Sequence, residues 1–179
     1  IFNTVRNTYV PFIQELVEQV QALGLSVITM NCEYAGSQWE INYAPGRGLD
    51  GPDQTFTFKN AVKELAHVNG YVATCMSKPF SGSAGSGMHT HVSLLDAVGR
   101  NLFGDDEDPD GISLLCRHFI AGNLRHARSA YALLAPTVNC IKRRRPHTFS
   151  PSNVSWGLED RSALVRIKGG SIASRHVEH

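Results

Sequence analysis

The sequence predicts an α+β fold, on three observations. Apolar residues recur at helical spacing over three long stretches. Short apolar or alternating runs bounded by Gly, Asn, Asp and Ser lie between them. The two kinds of element follow no regular strand–helix–strand beat, which argues against a doubly wound sheet.

Taken in order, residues 10–23 carry Phe12, Ile13, Leu16, Val17, Val20 and Leu23 on one helical face, and Gly24 supplies the stop. Residues 25–31 (LSVITMN) read as a buried strand, and 33–44 as a tight turn at Ala35-Gly36-Ser37 followed by a strand. Asp53 is the expected cap of a helix to about Asn69, with Phe58, Val62, Leu65 and Ala66 inward and Gly70 ending it. Residues 71–76 (YVATCM) and 88–94 (MHTHVSL) read as strands, separated by the small-residue loop SGSAGSG, and 96–101 (DAVGRN) as a turn. Asp110 is the expected cap of a long helix to about Leu134, with Leu114, Leu115, Phe119, Ile120, Leu124 and Ala127 inward and Pro136 closing it. Residues 153–158 and 162–167 form a last strand pair.

The chain has 179 residues, room for one ordinary domain, and its 42% apolar and 18% charged residues are those of a folded protein. A net charge of +1 favours neither nucleic acid nor a membrane as partner. The one basic run, Lys142 to Arg145, lacks the interleaved aromatics of a base-stacking surface. No apolar run approaches the roughly 20 residues of a membrane helix. Cys32, Cys75, Cys116 and Cys140 are widely spaced, which suits neither a zinc knuckle nor a disulfide framework and fits a reducing, cytoplasmic setting. The start at Ile1 and the stop at HVEH read as the edges of a fragment.

Three constellations carry chemistry. On a strand His89, His91 and Ser93 share one face and Thr90, Val92 and Leu94 the other. Two imidazoles beside a Gly loop suit a binding site about as well as a hydrogen-bonded structural pair. Glu33 and Glu40 flank a Gly/Ser turn that can fold them together, where a cation would relieve their repulsion; two solvated glutamates are the simpler alternative. Carboxylates plus an imidazole suit Mg²⁺ or Mn²⁺ better than zinc. Arg143, Arg161, Arg166 and Arg175, near Glu178, supply forks for carboxylate or phosphate, with Arg161 in the turn before the Arg166 strand. There is no Walker loop and no G-x-S-x-G. An acidic metal site, a Gly loop and anion-binding arginines are the equipment of phosphoryl transfer.

The strings NCEYAGSQWEI, KPFSGSAGSGMHTHVSL, APTVNCIKRRRP, WGLEDRSALVRI and RHVEH resemble, in order and over nearly the whole chain, the catalytic domain of glutamine synthetases. The wording from Arg143 to Gly170 is most similar to the branch that ligates glutamate to amines, the γ-glutamylpolyamine synthetases among them. The resemblance implies a curved, mainly antiparallel sheet lined with metal ligands and backed by helices, with residues 1–179 a partial catalytic domain. It implies a ligase that uses ATP to phosphorylate the γ-carboxylate of glutamate and lets ammonia or an organic amine displace the phosphate. Two or more Mg²⁺ or Mn²⁺ ions would sit in each site, and the protein would assemble as stacked hexameric rings.

By the same resemblance Glu33 and Glu40 match ligands of one metal, and His89 and Glu178 ligands of the second, which bridges the ATP phosphates. Gly85 and Arg143 match glutamate-binding positions, and His91 and Ser93 the nucleotide side. Arg161 and Arg166 match the arginines on the transferring phosphoryl group, and Arg175 lies in the segment that approaches ATP. Phe149 stands where glutamine-forming members carry a Glu that helps bind and deprotonate ammonium. A phenyl ring cannot do that but can line a pocket for an alkyl amine. Ala84 replaces an Asn that touches glutamate. A further Glu pair and a small N-terminal domain would lie upstream of Ile1, and an Arg after His179. Residues 1–179 alone are therefore expected to show little or no activity. The alternatives are a glutamine synthetase proper, using ammonia, and a non-catalytic assembly protein of the same fold. The second leaves the retained acidic residues, His89 and arginines without a reason.

Overall fold

A computed structural model describes residues 8–144, 149–151 and 153–179. Arg145, the end of the basic run, lies outside the described residues. The chain divides into two compact units, residues 1–86 and 87–179. Each has helix and sheet of its own, and among the described residues three of the four strand pairings are antiparallel.

In the first unit, α1 (Val10–Ala22) carries Pro11 in its opening turn, where the missing N–H would have no helical partner anyway. Ile13, Leu16 and Val20 are buried, whereas Leu23, expected inward, lies beyond the helix end and is exposed. Gly24, at φ 90°, makes the left-handed turn into β1 (Val27–Cys32). β1 pairs antiparallel with β2 (Trp39–Tyr43), Cys32 opposite Trp39 and Asn31 opposite Glu40. β1 is not the buried strand that its composition suggests: β2 is its one partner among the described residues, and Ile28 and Met30 are exposed.

The second helix, α2 (Asp50–Val68), starts three residues before the expected cap. Pro52 fits the first turn, where no N–H is needed, and Asp50 and Asp53 both sit there, at the positive end of the helix dipole. Leu16, Val20, Leu25 and Ala61 form the core of this unit, flanked by Val27, Ile41, Phe58, Val62 and Leu65. Residues 71–76 form no strand. Their apolar composition finds no partner edge among the described residues: Val72 is 94% exposed, and Tyr71 packs on the rings of Tyr9 and Phe12 instead.

The second unit is a four-stranded sheet in the order β3 (His91–Val92), β6 (His176–Glu178), β5 (Ala163–Lys168), β4 (Asn153–Leu158). The strand expected over 88–94 is thus two residues long, continued by a reciprocal backbone pair between Thr90 and His179. β4 runs parallel to β5, and β3–β6 and β6–β5 are antiparallel. The turn at 96–101 forms as expected, with Gly99 at φ 87°.

The long helix α3 (Leu114–Leu134) is capped by Ser113, whose hydroxyl accepts from the Cys116 N–H at 3.1 Å, and not by Asp110. Gly111 at φ 67° breaks the chain between them, and Asp110 instead accepts from Arg117. Leu114 and Leu115, expected inward, are exposed in the first turn. Cys116, Ile120, Phe103, Ile112, Leu164, Val165, Ile167 and Val177 make the core. A short helix, α4 (Val138–Arg143), and a 3-10 turn (Ile172–Ser174) complete the unit. Among the described residues no helix is long and apolar enough to cross a membrane.

Candidate functional site

The site of the second unit is built on the alternation of three short strands. On β5, Val165 and Ile167 enter the core, so Arg166 faces the other way; on β6, Val177 enters the core and Glu178 faces the other way. Register then sets Glu178 directly opposite Arg166 on one side and His91 on the other. Glu178 is 4% exposed and Arg166 9%. Arg166 grips the carboxylate with two nitrogens: Nε donates to Oε2 at 3.0 Å and Nη2 donates to Oε1. The His89 Nδ1 contacts the same Oε1, and His91 Nε2 stands 3.9 Å from Oε2.

Burial alone would raise the Glu178 pKa, but the hydrogen bonds to His89 and Arg166 outweigh it and hold it down to about 2. Burial lowers the His91 pKa, and the Glu178 charge only partly opposes this, which favours the neutral imidazole. The result is a fixed carboxylate with one guanidinium behind it and two imidazoles in front.

The other arginines go elsewhere. Arg175 is buried, and its guanidinium donates to the carbonyls of Gly111 (3.1 Å) and Lys168 (3.0 Å). Arg161 is exposed in the turn between β4 and β5, two residues before β5 begins. Ser93 lies just past β3 and is exposed. Arg143, at the end of α4, donates from Nη2 to the Phe149 carbonyl at 3.1 Å, and burial lowers its pKa. Phe149 has φ 56°, strained for a bulky residue, and its side chain is exposed.

In the first unit, the Glu33 N–H donates to the Gln38 carbonyl at 2.9 Å, carrying the β1–β2 register one pair further. Glu33 is then opposite Gln38, and Glu40 lies two residues along the same face. The two glutamates are diagonal neighbours, a relation that spans roughly 7–8 Å between backbones. Glu40 also accepts from Asn42 Nδ2 at 2.9 Å. The turn between them is Gly36–Ser37, with Ser37 at φ 59°. Gly85 lies against this hairpin: its carbonyl accepts from Gln38 Nε2 at 3.1 Å. Gln38 belongs to the G-x-Q-x-E wording of the hairpin, but its role is not readable from the sequence, because the partners of an amide in a turn are known only from the fold.

Among the described residues, no group of three or more His, Cys, Asp or Glu side chains stands ready to hold a metal ion. The donor types nevertheless fit a hard divalent cation: a charged carboxylate beside an imidazole at Glu178 and His89, and a carboxylate pair on one hairpin face at Glu33 and Glu40.

This mixed fold carries a buried carboxylate–arginine pair with two exposed histidines beside it, groups suited to anion and cation chemistry. The family model for the glutamine synthetase catalytic domain matches residues 3–179, and the chain belongs to that family. It is 38% identical over 154 residues to a glutamine synthetase of Thermotoga maritima, covering 86% of this chain and 35% of the relative. It is 34% identical over 159 residues to type-1 glutamine synthetase 1 of Dictyostelium discoideum (89% and 32%). A glutamate–methylamine ligase of Methyloversatilis universalis is 36% identical over 172 residues (92% and 39%). The chain spans about a third of the length of such relatives.

Proposed function

We propose that the protein is an ATP-dependent ligase that joins the γ-carboxylate of glutamate to an organic amine, in preference to ammonia, through a γ-glutamyl phosphate. Membership of the glutamine synthetase family supports the ligase reading. The observation that carries the amine preference is Phe149, a phenyl ring and not a carboxylate, on a segment whose backbone is held by Arg143. A relative named glutamate–methylamine ligase adds to it.

In this reading Glu33 and Glu40 hold one Mg²⁺ or Mn²⁺, and His89 and Glu178 a second. Bound there, the ions would neutralise phosphate charge and polarise the transferring group. Arg143 and the Gly85 backbone bind glutamate. Arg161, exposed in its turn, neutralises the transferring phosphoryl group, while Arg166 keeps Glu178 ionised and aimed. His91 and Ser93 face the nucleotide, and Arg175 supports that side through the backbone it holds. Phe149 excludes water and gives an alkyl amine an apolar wall. The incoming amine loses its proton as it attacks the acyl phosphate, and phosphate leaves. Rings of six stacked in pairs, in the cytoplasm, belong to the same proposal.

The test is phosphate release by the full-length protein given Mg²⁺ or Mn²⁺, ATP and glutamate with ammonium, methylamine, ethanolamine, putrescine or spermidine in turn. Turnover with an amine well above that with ammonium is expected. A clear preference for ammonium would make the protein a glutamine synthetase proper, and no turnover with any of them would favour the non-catalytic reading.

A further inference from the structure

The Gly-rich loop is closed on itself: the Ser86 N–H donates to the Ser77 carbonyl at 2.9 Å, the Ser83 N–H to the Phe80 carbonyl at 3.3 Å, and Lys78 Nζ to the Ser83 carbonyl. The Gln38 side chain ties it to the hairpin. Gln38 Nε2 donates to the Gly85 carbonyl at 3.1 Å and to the Ser86 hydroxyl at 3.2 Å, 47 and 48 residues away in sequence. Its Oε1 accepts the Ala35 N–H at 3.0 Å, and its backbone carbonyl accepts the Glu33 N–H at 2.9 Å.

Both N–H groups of the amide and its oxygen are thus engaged, the oxygen on the turn that carries Glu33 and the nitrogen on the loop that carries Gly85. No other side chain meets this demand. Glutamate would keep the acceptor and lose both donors, asparagine is one methylene short, and methionine offers neither. The register puts Gln38 on the same hairpin face as Glu33 and Glu40.

We infer that Gln38 is a positioning residue that orients the Gly85 backbone for the substrate glutamate and binds the loop to the carboxylate hairpin. The inference rests on the assignment of Gly85 to glutamate made above. Gln38 touches no reacting atom; it acts through Gly85 and Ser86. A loop released from it would sample many conformations, and substrate binding would have to order it again.

Gln38→Glu separates the two halves of the role, because it keeps the acceptor for Ala35 and removes both donors to the loop. In the full-length protein, amide hydrogen exchange at Ser83 and Ser86 should rise in this variant while that at Glu33 stays slow. The glutamate KM should rise about tenfold, as for the loss of two modest hydrogen bonds, with the ATP KM and the melting temperature little changed. Ser86→Ala, which removes only one acceptor, should give a smaller rise. Unchanged exchange in the loop would overturn the inference, and so would equal rises in both KM values accompanied by a lower melting temperature. Absence of glutamate-dependent turnover in the wild-type protein would remove the substrate half, and the exchange comparison would then still decide whether Gln38 holds the loop.

Discussion

Replacing Glu178 by Leu removes the one carboxylate that Arg166 grips, and leaves a guanidinium that is 9% exposed without its counter-charge. Leucine has nearly the right volume, so cavity formation adds little. The dominant cost is an uncompensated buried charge, about 3–5 kcal/mol when one partner of such a pair is deleted. For a chain of this size each kcal/mol moves the melting temperature by about 2–4 °C, so a fall of roughly 6–20 °C is expected. Differential scanning calorimetry in excess chelator reads the ion pair without any contribution from bound cations. The double variant Glu178→Leu with Arg166→Met removes both charges and should recover most of the loss, because paired buried charges are often no better than apolar residues of similar shape. A single variant that melts within a degree of wild type would refute the reasoning, since it would mean that Arg166 reaches water. A double variant no better than the single would refute it too.

Three further outcomes follow from other parts of the structure. Phe149→Glu should shift turnover from organic amines toward ammonium by tenfold or more in the ratio of kcat/KM values, about 1.4 kcal/mol of discrimination, measured by phosphate release. Ser113→Ala should destabilise the protein by about 1 kcal/mol, by leaving the Cys116 N–H of α3 without its cap, as read from urea unfolding. Cys116 is fully buried and desolvation pushes its thiol up to about 11, so at pH 8 it should react with a maleimide only as fast as the protein unfolds, a rate readable by mass spectrometry.

Short-range patterns were legible in the sequence and long-range ones were not. The spacing of Ile13, Leu16 and Val20 predicts α1, and a glycine at its end predicts the stop, because both are properties of a few neighbouring residues. The turn at Gly36–Ser37, the turn at 96–101 and the strands β4 and β5 are legible for the same reason. The helix starts are less legible. Asp53 and Asp110 are good caps in isolation, yet Pro52 allows one helix to begin earlier and Gly111 delays the other.

Sequence alone determined the residue types of the site: two carboxylates around a turn, two histidines two apart, arginines near the end, and a phenylalanine where the resemblance calls for an acid. It could not show that the three residues of β6 form a strand, since three residues carry no periodicity, nor that residues 71–76 form none, since pairing needs a partner edge. Tertiary structure alone decided that Glu178 is buried between Arg166 and His91, that Arg175 serves backbone carbonyls, and that Gln38 joins the hairpin to the loop. Each of these depends on groups distant in the chain, and strand register and burial, not local preference, set their distances and charges.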